Sequence, residues 1–401
     1  MAQAMVIGTR IAGGATKAVL IMRRLKKFLK GFLLLIAALV GLLYITDYDY
    51  ILKGVRVVYM TGHTTAFIDD HVYFENDTVF TGNSKWEWPK HAEYNQTKPT
   101  EELDRINELL GTVAFVIIKN DSIWYENYAE GYGRDSQTNS FSMAKSITTA
   151  LMAKAIEDGH IKGLDQKISD FFPQYEGQET TVGDLSSMAS GLDWDESYKS
   201  PFSVTARAYY DDDLSETILN QKVVDTPGED FTYLSGNTQL LGMIIEEATG
   251  KRLAEYLTES YWQPLGMQNN ALWQVDDNDN RLAKSYCCIA SNALDFARFG
   301  RLFKDKGNWN GQQILDSTFV DLATNRRFEG EPYGYGFWIS DHLNKHIFVM
   351  RGILGQYVIT IPEDDLIIVR LGHQLASKKP GQDFSGDFYK YVEEAYAMIG
   401  D

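Results

Sequence analysis

The chain has 401 residues, of which 44% are hydrophobic and 23% charged, and this balance fits a large globular protein with an extension. These proportions exclude a disordered chain and a protein that crosses a membrane many times. The formal charge is −17, but residues 1–30 carry seven basic side chains and no acidic one, so the remainder carries −24. A body this acidic repels phosphates, and we therefore predict that nucleic acid is not a partner.

The N-terminal region has the charge pattern of a membrane anchor. Residues 31–46 contain no charged side chain, and a basic cluster at residues 23–30 precedes them. The positive-inside rule predicts a basic cytoplasmic N-terminus over residues 1–30 and a transmembrane anchor in the lipid bilayer over residues 31–46. The rest of the chain is then predicted to be periplasmic or extracellular.

Two alternatives to an uncleaved anchor are a cleaved signal peptide and a buried core helix. The segment LLYITDYDY offers no small-x-small cleavage site, which favours the anchor. The stretch that starts at Met22 has by itself the pattern of a membrane-targeting N-terminus. Translation from Met22 is therefore a further hypothesis, which N-terminal sequencing of the native protein tests.

The predicted elements that follow indicate an α+β domain. Residues 47–98 form a lead-in segment, and residues 99–400 form the main domain. Its elements, in chain order, are a strand hairpin over 111–132 with a turn at Asn120 and Asp121, a helix over 142–161, a helix-rich region over 162–290, strands over 333–340, 346–352 and 355–372, and a helix over 384–400. Strands at both ends with helices between them predict one antiparallel sheet, flanked by helices, and a mostly helical second lobe.

One short motif carries chemistry. Ser142 and Lys145 form the only S-x-x-K in the chain, at the junction between the hairpin and a predicted helix. Residues i and i+3 share a helix face, so the amine can reach the hydroxyl. A serine needs a neighbour that accepts its proton, and lysine does so when burial lowers its pKa. We therefore predict Ser142 as a nucleophile and Lys145 as its base.

These residues resemble the first motif of the serine β-lactamase-like hydrolases. The resembling segments run in order over roughly residues 100–400 and include NSFSMAKSITTALMAKAIEDGH, PGEDFTYLSGNTQLLGMIIEEATG and RGILGQYVITIPEDDLIIVRLG. The chain looks closest to 6-aminohexanoate-dimer hydrolases and class C-type esterases. The resemblance implies a β-lactamase/transpeptidase-like fold, acyl transfer through an acyl-enzyme, and neither a metal nor a cofactor.

The resemblance also implies roles for further residues. Tyr233 takes the place of the tyrosine that opens the second motif, where a phenolate stabilised by Lys145 would share the proton transfers. The third place of that motif is Ser235 where β-lactamases carry Asn, and Asn237 follows as a candidate substrate-binding residue. The third motif falls at Met350, where the family has Lys or His; there Gly352 would let substrate approach the strand, and the N–H of Ile353 would be the second oxyanion donor beside that of Ser142.

Other polar and aromatic features are interpreted as structural. Cys287 and Cys288 are expected to remain unpaired, because a bond between neighbours strains the backbone. Asp193, Asp195 and Glu196 are expected to form a solvated loop. Trp194 and Tyr198 are candidates either for lining the cleft or for packing.

The sequence therefore predicts a membrane-anchored serine hydrolase that cleaves a small-molecule amide or ester. One alternative is a peptidoglycan-directed D,D-peptidase or β-lactamase, against which the altered second and third motifs weigh. The other is a non-catalytic binding or scaffold protein on the same fold, against which the joint presence of Ser142, Lys145 and Tyr233 weighs.

Overall fold

A computed structural model describes residues 2–400 of the chain, and their side chains from residue 20 onward. The chain divides into two compact units, of which the first ends at Arg56 and the second begins at Val57. The first unit is dominated by one helix, and the second contains all the strands.

The N-terminal helix is longer than the predicted anchor. Helix α1 spans Ala2–Ile45, and its 26-residue portion Leu20–Ile45 contains an 18-residue stretch with a mean hydropathy of 2.4. By length and composition this portion can cross a membrane, and a signal sequence near an N-terminus meets the same criterion.

The remaining elements are α-helices of five to fifteen residues and strands of two to eight residues. The helices are α2 (Tyr50–Val57), α3 (Glu101–Leu109), α4 (Ala144–Glu157), α5 (Val182–Ser186), α6 (Val204–Tyr210), α7 (Leu214–Leu219), α8 (Ser235–Thr249), α9 (Leu253–Leu257), α10 (Ala293–Lys304), α11 (Ser317–Ala323) and α12 (Gly386–Ile399). The strands are β1 (Asn76–Val79), β2 (Thr112–Lys119), β3 (Ser122–Tyr128), β4 (Thr138–Asn139), β5 (Ala271–Gln274), β6 (Ile289–Ser291), β7 (Asn308–Trp309), β8 (Gln312–Gln313), β9 (Trp338–Ser340), β10 (Ile347–Gly352), β11 (Gln356–Ile361) and β12 (Leu366–Gly372).

The main sheet joins both ends of the domain, as the sequence predicts. Its six strands lie in the order β3-β2-β12-β11-β10-β9, and every neighbouring pair is antiparallel. The predicted hairpin is strands β2 and β3, and its turn residues Asn120 and Asp121 have φ of 51° and 54°. Two central residues with positive φ match the twist of a two-residue hairpin.

Both faces of this sheet are buried, which explains why its strands are apolar at consecutive positions. In β12, Leu366 and Ile368 face a cluster that includes residues of α3 and α12, whereas Ile367 and Val369 face the larger core with α4 and α10. The period of two along the strand thus divides the apolar side chains between two helical layers. The α+β class and the antiparallel sheet flanked by helices are confirmed.

A second, four-stranded sheet was not predicted. Its order is β1-β5-β6-β4, and its strands have only two to four residues each. Strand β1 comes from the lead-in segment and pairs with β5, and β4 immediately precedes Ser142 in the chain. This small sheet therefore connects the lead-in segment to the region that carries the S-x-x-K motif.

Candidate active site

Ser142 lies in a tight 3₁₀ turn, not in the helix itself. The turn is Phe141–Met143, and α4 begins one residue later, so the predicted helix start at 142 is two residues early. Phe141 has φ of 45°, a left-handed conformation that is rare for a bulky residue and requires support from its surroundings. The support comes from the side chain of Asn139, whose Oδ1 accepts the N–H of Phe141 at 2.8 Å.

Asn139 is itself held by the lead-in segment. Its amide donates to Oδ1 of Asp70 at 2.9 Å, and the hydroxyl of Tyr209 donates to Oδ2 of Asp70 at 2.7 Å. Asp70 is fully buried, and this burial raises its pKa to about 6, although its hydrogen bonds and the charge of Lys284 oppose the rise. The position of the Ser142 turn thus depends on a polar network that extends beyond the three motifs to Asp70 in the lead-in segment.

Gly352 has a packing role that the sequence did not predict. A Cβ at this position would overlap the carbonyl oxygen of Ser140 and lie 3.2 Å from the Cβ of Phe141. Glycine therefore lets strand β10 pack directly against the backbone that precedes Ser142.

Lys145 is fully buried, and its amine has three acceptors. Nζ donates to Oγ of Ser142 at 3.2 Å, to Oγ of Ser235 at 3.1 Å and to the carbonyl oxygen of Tyr286 at 2.9 Å. Desolvation lowers the pKa of Lys145 to about 8, and the negative charge of Glu196 opposes this shift. A substantial fraction of the amine is therefore neutral near physiological pH, as proton transfer from Ser142 requires.

Tyr233 lies beside this pair, in surroundings that disfavour a phenolate. Its ring centroid is 5.1 Å from Nζ of Lys145, and its ring contacts those of Tyr333 and Trp338. Burial raises the pKa of Tyr233, and a hydrogen bond with Ser142 and the charge of Arg351 only partly offset the rise. Burial therefore disfavours the phenolate that is expected beside Lys145, and it favours a phenol that can donate a hydrogen bond.

Glu196 belongs to the site, contrary to the expectation of a solvated loop. Its carboxylate accepts the N–H of Ser235 at 2.6 Å and the hydroxyl of Ser235 at 2.7 Å, and the hydroxyl of Tyr198 also donates to it. The carboxylate thus caps the first residue of α8. Nothing in the local sequence separates Glu196 from its exposed neighbours Asp193 and Asp195, because only the folded chain brings it to Ser235.

Ile353 and Asn237, the two other residues predicted to bind the oxyanion or the substrate, lie in different surroundings. Ile353 lines the cavity that contains Ser142, whereas Asn237 is fully buried behind it. The amide oxygen of Asn237 accepts the hydroxyl of Ser190, and its nitrogen contacts the sulfur of Met188, so both polar atoms are engaged in the helical lobe. The structure therefore does not bring Asn237 to the place where substrate would bind.

The cavity beside Ser142 has mostly apolar walls. Its lining residues come from the lead-in segment, the Ser142 turn, the helical lobe and the residue that follows strand β10; they are Thr65, Ala66, Phe141, Ser142, Ser197, Tyr198, Thr205, Ala206, Tyr209, Tyr210, Ser235, Tyr286, Cys287 and Ile353. Tyr198 therefore lines the cleft, whereas Trp194 is buried and packs against Gly236.

Cys287 and Cys288 are joined to each other, which corrects the expectation that they remain unpaired. Their disulfide links neighbouring residues, and the backbone accommodates it with a left-handed conformation at Cys288, where φ is 76°. Cys287 lies on the cavity wall, immediately after the carbonyl of Tyr286 that binds Lys145.

Comparisons with known proteins agree with this geometry. The model of the family described as Beta-lactamase matches residues 104–386. The 6-aminohexanoate-dimer hydrolase of Paenarthrobacter ureafaciens is 25% identical over 296 residues, which cover 67% of this chain and 74% of that protein. A Bacillus anthracis structure described provisionally as a 6-aminohexanoate-dimer hydrolase superimposes with a TM-score of 0.67 at 21% identity, over 87% of this chain and 93% of that one. The D-amino acid amidase of Ochrobactrum anthropi superimposes with a TM-score of 0.56 at 17% identity, over 74% and 95%.

The contact at Gly352 generates a test of the Ser142 turn. In Gly352→Ala the added methyl group must displace the backbone at Ser140, so we expect labelling by a fluorophosphonate probe to slow by about 100-fold, a loss of the size that small misplacements cause. Gly163→Ala is the matched control, since a Cβ there meets no atom within 4 Å. Labelling of Gly352→Ala at the rate of the control would contradict the assigned role of the glycine.

Proposed function

This chain belongs to the beta-lactamase family of serine hydrolases, and we propose that it is a membrane-anchored enzyme that cleaves a small amide or ester through an acyl-enzyme on Ser142. The observation that carries the proposal is the buried amine of Lys145, 3.2 Å from Oγ of Ser142, with its pKa lowered to about 8. A purely structural lysine gains nothing from burial of this kind, because desolvation destabilises its charged form.

In the proposed reaction, the neutral amine of Lys145 accepts the proton of Ser142 while Oγ attacks the substrate carbonyl carbon. The N–H groups of Ser142 and Ile353 stabilise the oxyanion. The phenol of Tyr233 gives its proton to the departing nitrogen or oxygen, and Lys145 restores that proton. Water then attacks the acyl-enzyme by the same steps in reverse, which releases the acid and Ser142.

Two observations support a neutral substrate class rather than a penicillin-like one. The cavity walls are largely apolar and aromatic. Arg351, in the third-motif segment, does not line the cavity, and its guanidinium stacks on Trp338 and Phe384. Met350, at the place of the family's Lys or His, is buried in the core. A carboxylate on the substrate therefore lacks the cation that the resemblance leads one to expect at that place.

The proposal of an anchor rests on α1. The segment Leu20–Ile45 has the length and apolar composition of a membrane span, and the basic side chains of residues 23–30 lie in its first half. Long basic side chains near the end of a span extend to the lipid headgroups, so they are compatible with a span that starts near residue 20.

The nucleophile is tested by Ser142→Ala. Because this change removes the attacking oxygen and leaves a small side chain, we expect complete loss of fluorophosphonate labelling and of p-nitrophenyl ester hydrolysis, with an unchanged thermal unfolding midpoint. Wild-type protein should label; if it does not, the non-catalytic alternative holds. Bocillin labelling of the wild type in the same gel would instead support a penicillin-recognising enzyme.

The base is tested through the pH dependence of acylation. If Lys145 acts as the neutral amine, the acylation rate should rise about tenfold per pH unit below its pKa and level off above about 8. Lys145→Arg keeps a positive charge that cannot be lost, so acylation should fall by about 10²–10⁴-fold, as it should in Lys145→Ala. The measurement is the pre-steady-state burst with one activated ester. Near-normal acylation by the arginine variant would mean that Lys145 is only an electrostatic aid.

Topology is tested with reporters fused to the C-terminus. Since the basic residues before the span stay in the cytoplasm, an alkaline phosphatase fusion should be active and a green fluorescent protein fusion dark. The fusion protein should remain in the membrane pellet at full length, whereas signal cleavage would release a shorter soluble form. Fluorescence with inactive phosphatase would contradict the orientation.

A further inference from the structure

We propose that Glu196 is a positioning residue that, through Ser235, points the lone pair of neutral Lys145 at the hydroxyl of Ser142. The inference rests on the proposed function, because it concerns how Lys145 receives the proton of Ser142. It gives a role in the reaction to Glu196, an acidic side chain that the sequence does not distinguish from Asp193 and Asp195. The observations that carry it are the hydrogen bonds around Ser235 and Lys145.

The hydroxyl of Ser235 can point in only one direction. The carboxylate of Glu196 has no hydrogen to give, so Oγ of Ser235, at 2.7 Å, must donate to it. The backbone N–H of Ser235 bonds the same carboxylate at 2.6 Å and fixes its position. Having used its single hydrogen, the hydroxyl of Ser235 can only accept from Nζ of Lys145, at 3.1 Å.

The second hydrogen of the amine is fixed in the same way. The carbonyl oxygen of Tyr286 lies 2.9 Å from Nζ and is an acceptor only. A neutral amine has two N–H bonds and one lone pair, and both N–H bonds are therefore engaged, by Ser235 and by Tyr286. The remaining direction is that of Ser142, 3.2 Å away, so the lone pair faces the proton that it must accept.

Without the carboxylate, the opposite arrangement becomes available. In Glu196→Gln, the side-chain amide can donate to Oγ of Ser235, which frees the hydroxyl hydrogen to bind the lone pair of Lys145. The amine would then direct an N–H bond at Ser142, and the proton transfer from Ser142 would be blocked until the network reverses. Side-chain size is nearly the same, so the variant changes hydrogen-bond direction and charge with little change in packing.

The charge of Glu196 supplies a second signature. The groups that face Lys145 are Ser142, Ser235, the carbonyl and ring of Tyr286 and the ring of Tyr233, and Glu196 is the charged group that raises its pKa. Tyr198 bonds the carboxylate, and Arg351 acts on Tyr233 from the sheet side. Removal of the negative charge therefore lowers the pKa of Lys145 further, and the midpoint of the rate profile moves to lower pH.

The experiment measures the second-order rate of fluorophosphonate labelling of the full-length protein from about pH 5 to about pH 10, a range that brackets lysine titration. We expect Glu196→Gln to lower the plateau rate by about tenfold or more, a part of the ~10²–10⁴-fold that a positioned base supplies, and to shift the midpoint to lower pH. Glu196→Asp keeps the charge at a shorter reach, so its plateau should fall while its midpoint stays near that of the wild type.

Asp195→Asn is the matched control, because it removes the same charge from the adjacent residue, whose side chain is exposed. It should keep the wild-type plateau and midpoint. Three results would each overturn the proposal. They are an equal midpoint shift in Asp195→Asn, an unchanged rate profile in Glu196→Gln, and a lower plateau in Glu196→Gln without a midpoint shift.

A second variant and the wild-type result distinguish failure of this inference from misfolding of Glu196→Gln and from failure of the proposed function. If Glu196→Gln does not fold, Ser235→Ala replaces it: the plateau must fall, since the amine loses one fixed acceptor, and a wild-type plateau would overturn the proposal. Absence of labelling in the wild type would refute the serine hydrolase mechanism itself. Labelling that depends on Ser142 but is indifferent to Glu196 and Ser235 would refute only the present inference.

Discussion

The burial of one amine is the constraint on which the rest of this site depends. An ammonium group removed from water is destabilised by several kcal/mol unless acceptors surround it. Lys145 has three acceptors, and they come from three separate segments: the turn before α4, the start of α8 and the loop between β5 and β6. The same burial that requires these acceptors lowers the pKa of Lys145, so structure and reactivity have one cause.

The nucleophile depends on a second constraint, the left-handed backbone at Phe141. A conformation of this kind costs of order 1–3 kcal/mol and persists only where the surroundings determine it. The hydrogen bonds of Asn139, which Asp70 holds in place, stabilise this conformation. Gly352 contributes as well, because it lets β10 pack directly against the turn. Asp70 belongs to the lead-in segment, which lies outside residues 104–386 that match the family. In this chain, therefore, part of the support of a family site comes from residues that the family match does not include.

The sequence predicted those features that are encoded locally. The hairpin turn at Asn120, the apolar late strands and the S-x-x-K spacing each have a short-range signal, and each is found in the structure. Glu196 could not be recognised in the same way, because its contact with Ser235 joins residues that are 39 positions apart. Asn237 was misplaced for a related reason: a motif gives the order of residues along a helix, whereas the helix orientation decides which of them faces the cavity. The bond between Cys287 and Cys288 depends on a backbone conformation that sequence spacing does not specify.

The presence of Met350 at the third motif, where the family has Lys or His, has a structural consequence for Tyr233. The resemblance places a Lys or His where this chain has Met350, and the structure buries that methionine in the apolar core. The next residue, Arg351, points to the other side of the strand, where its guanidinium stacks 4.7 Å from the ring centroid of Trp338. Trp338 also packs against Tyr233, and the charge of Arg351 lowers the pKa of Tyr233 against the effect of burial. Position 350 therefore lacks the usual cation, but Tyr233 still has a positive charge nearby. Arg351, one residue further along the strand, carries that charge, and its guanidinium is held on the ring of Trp338.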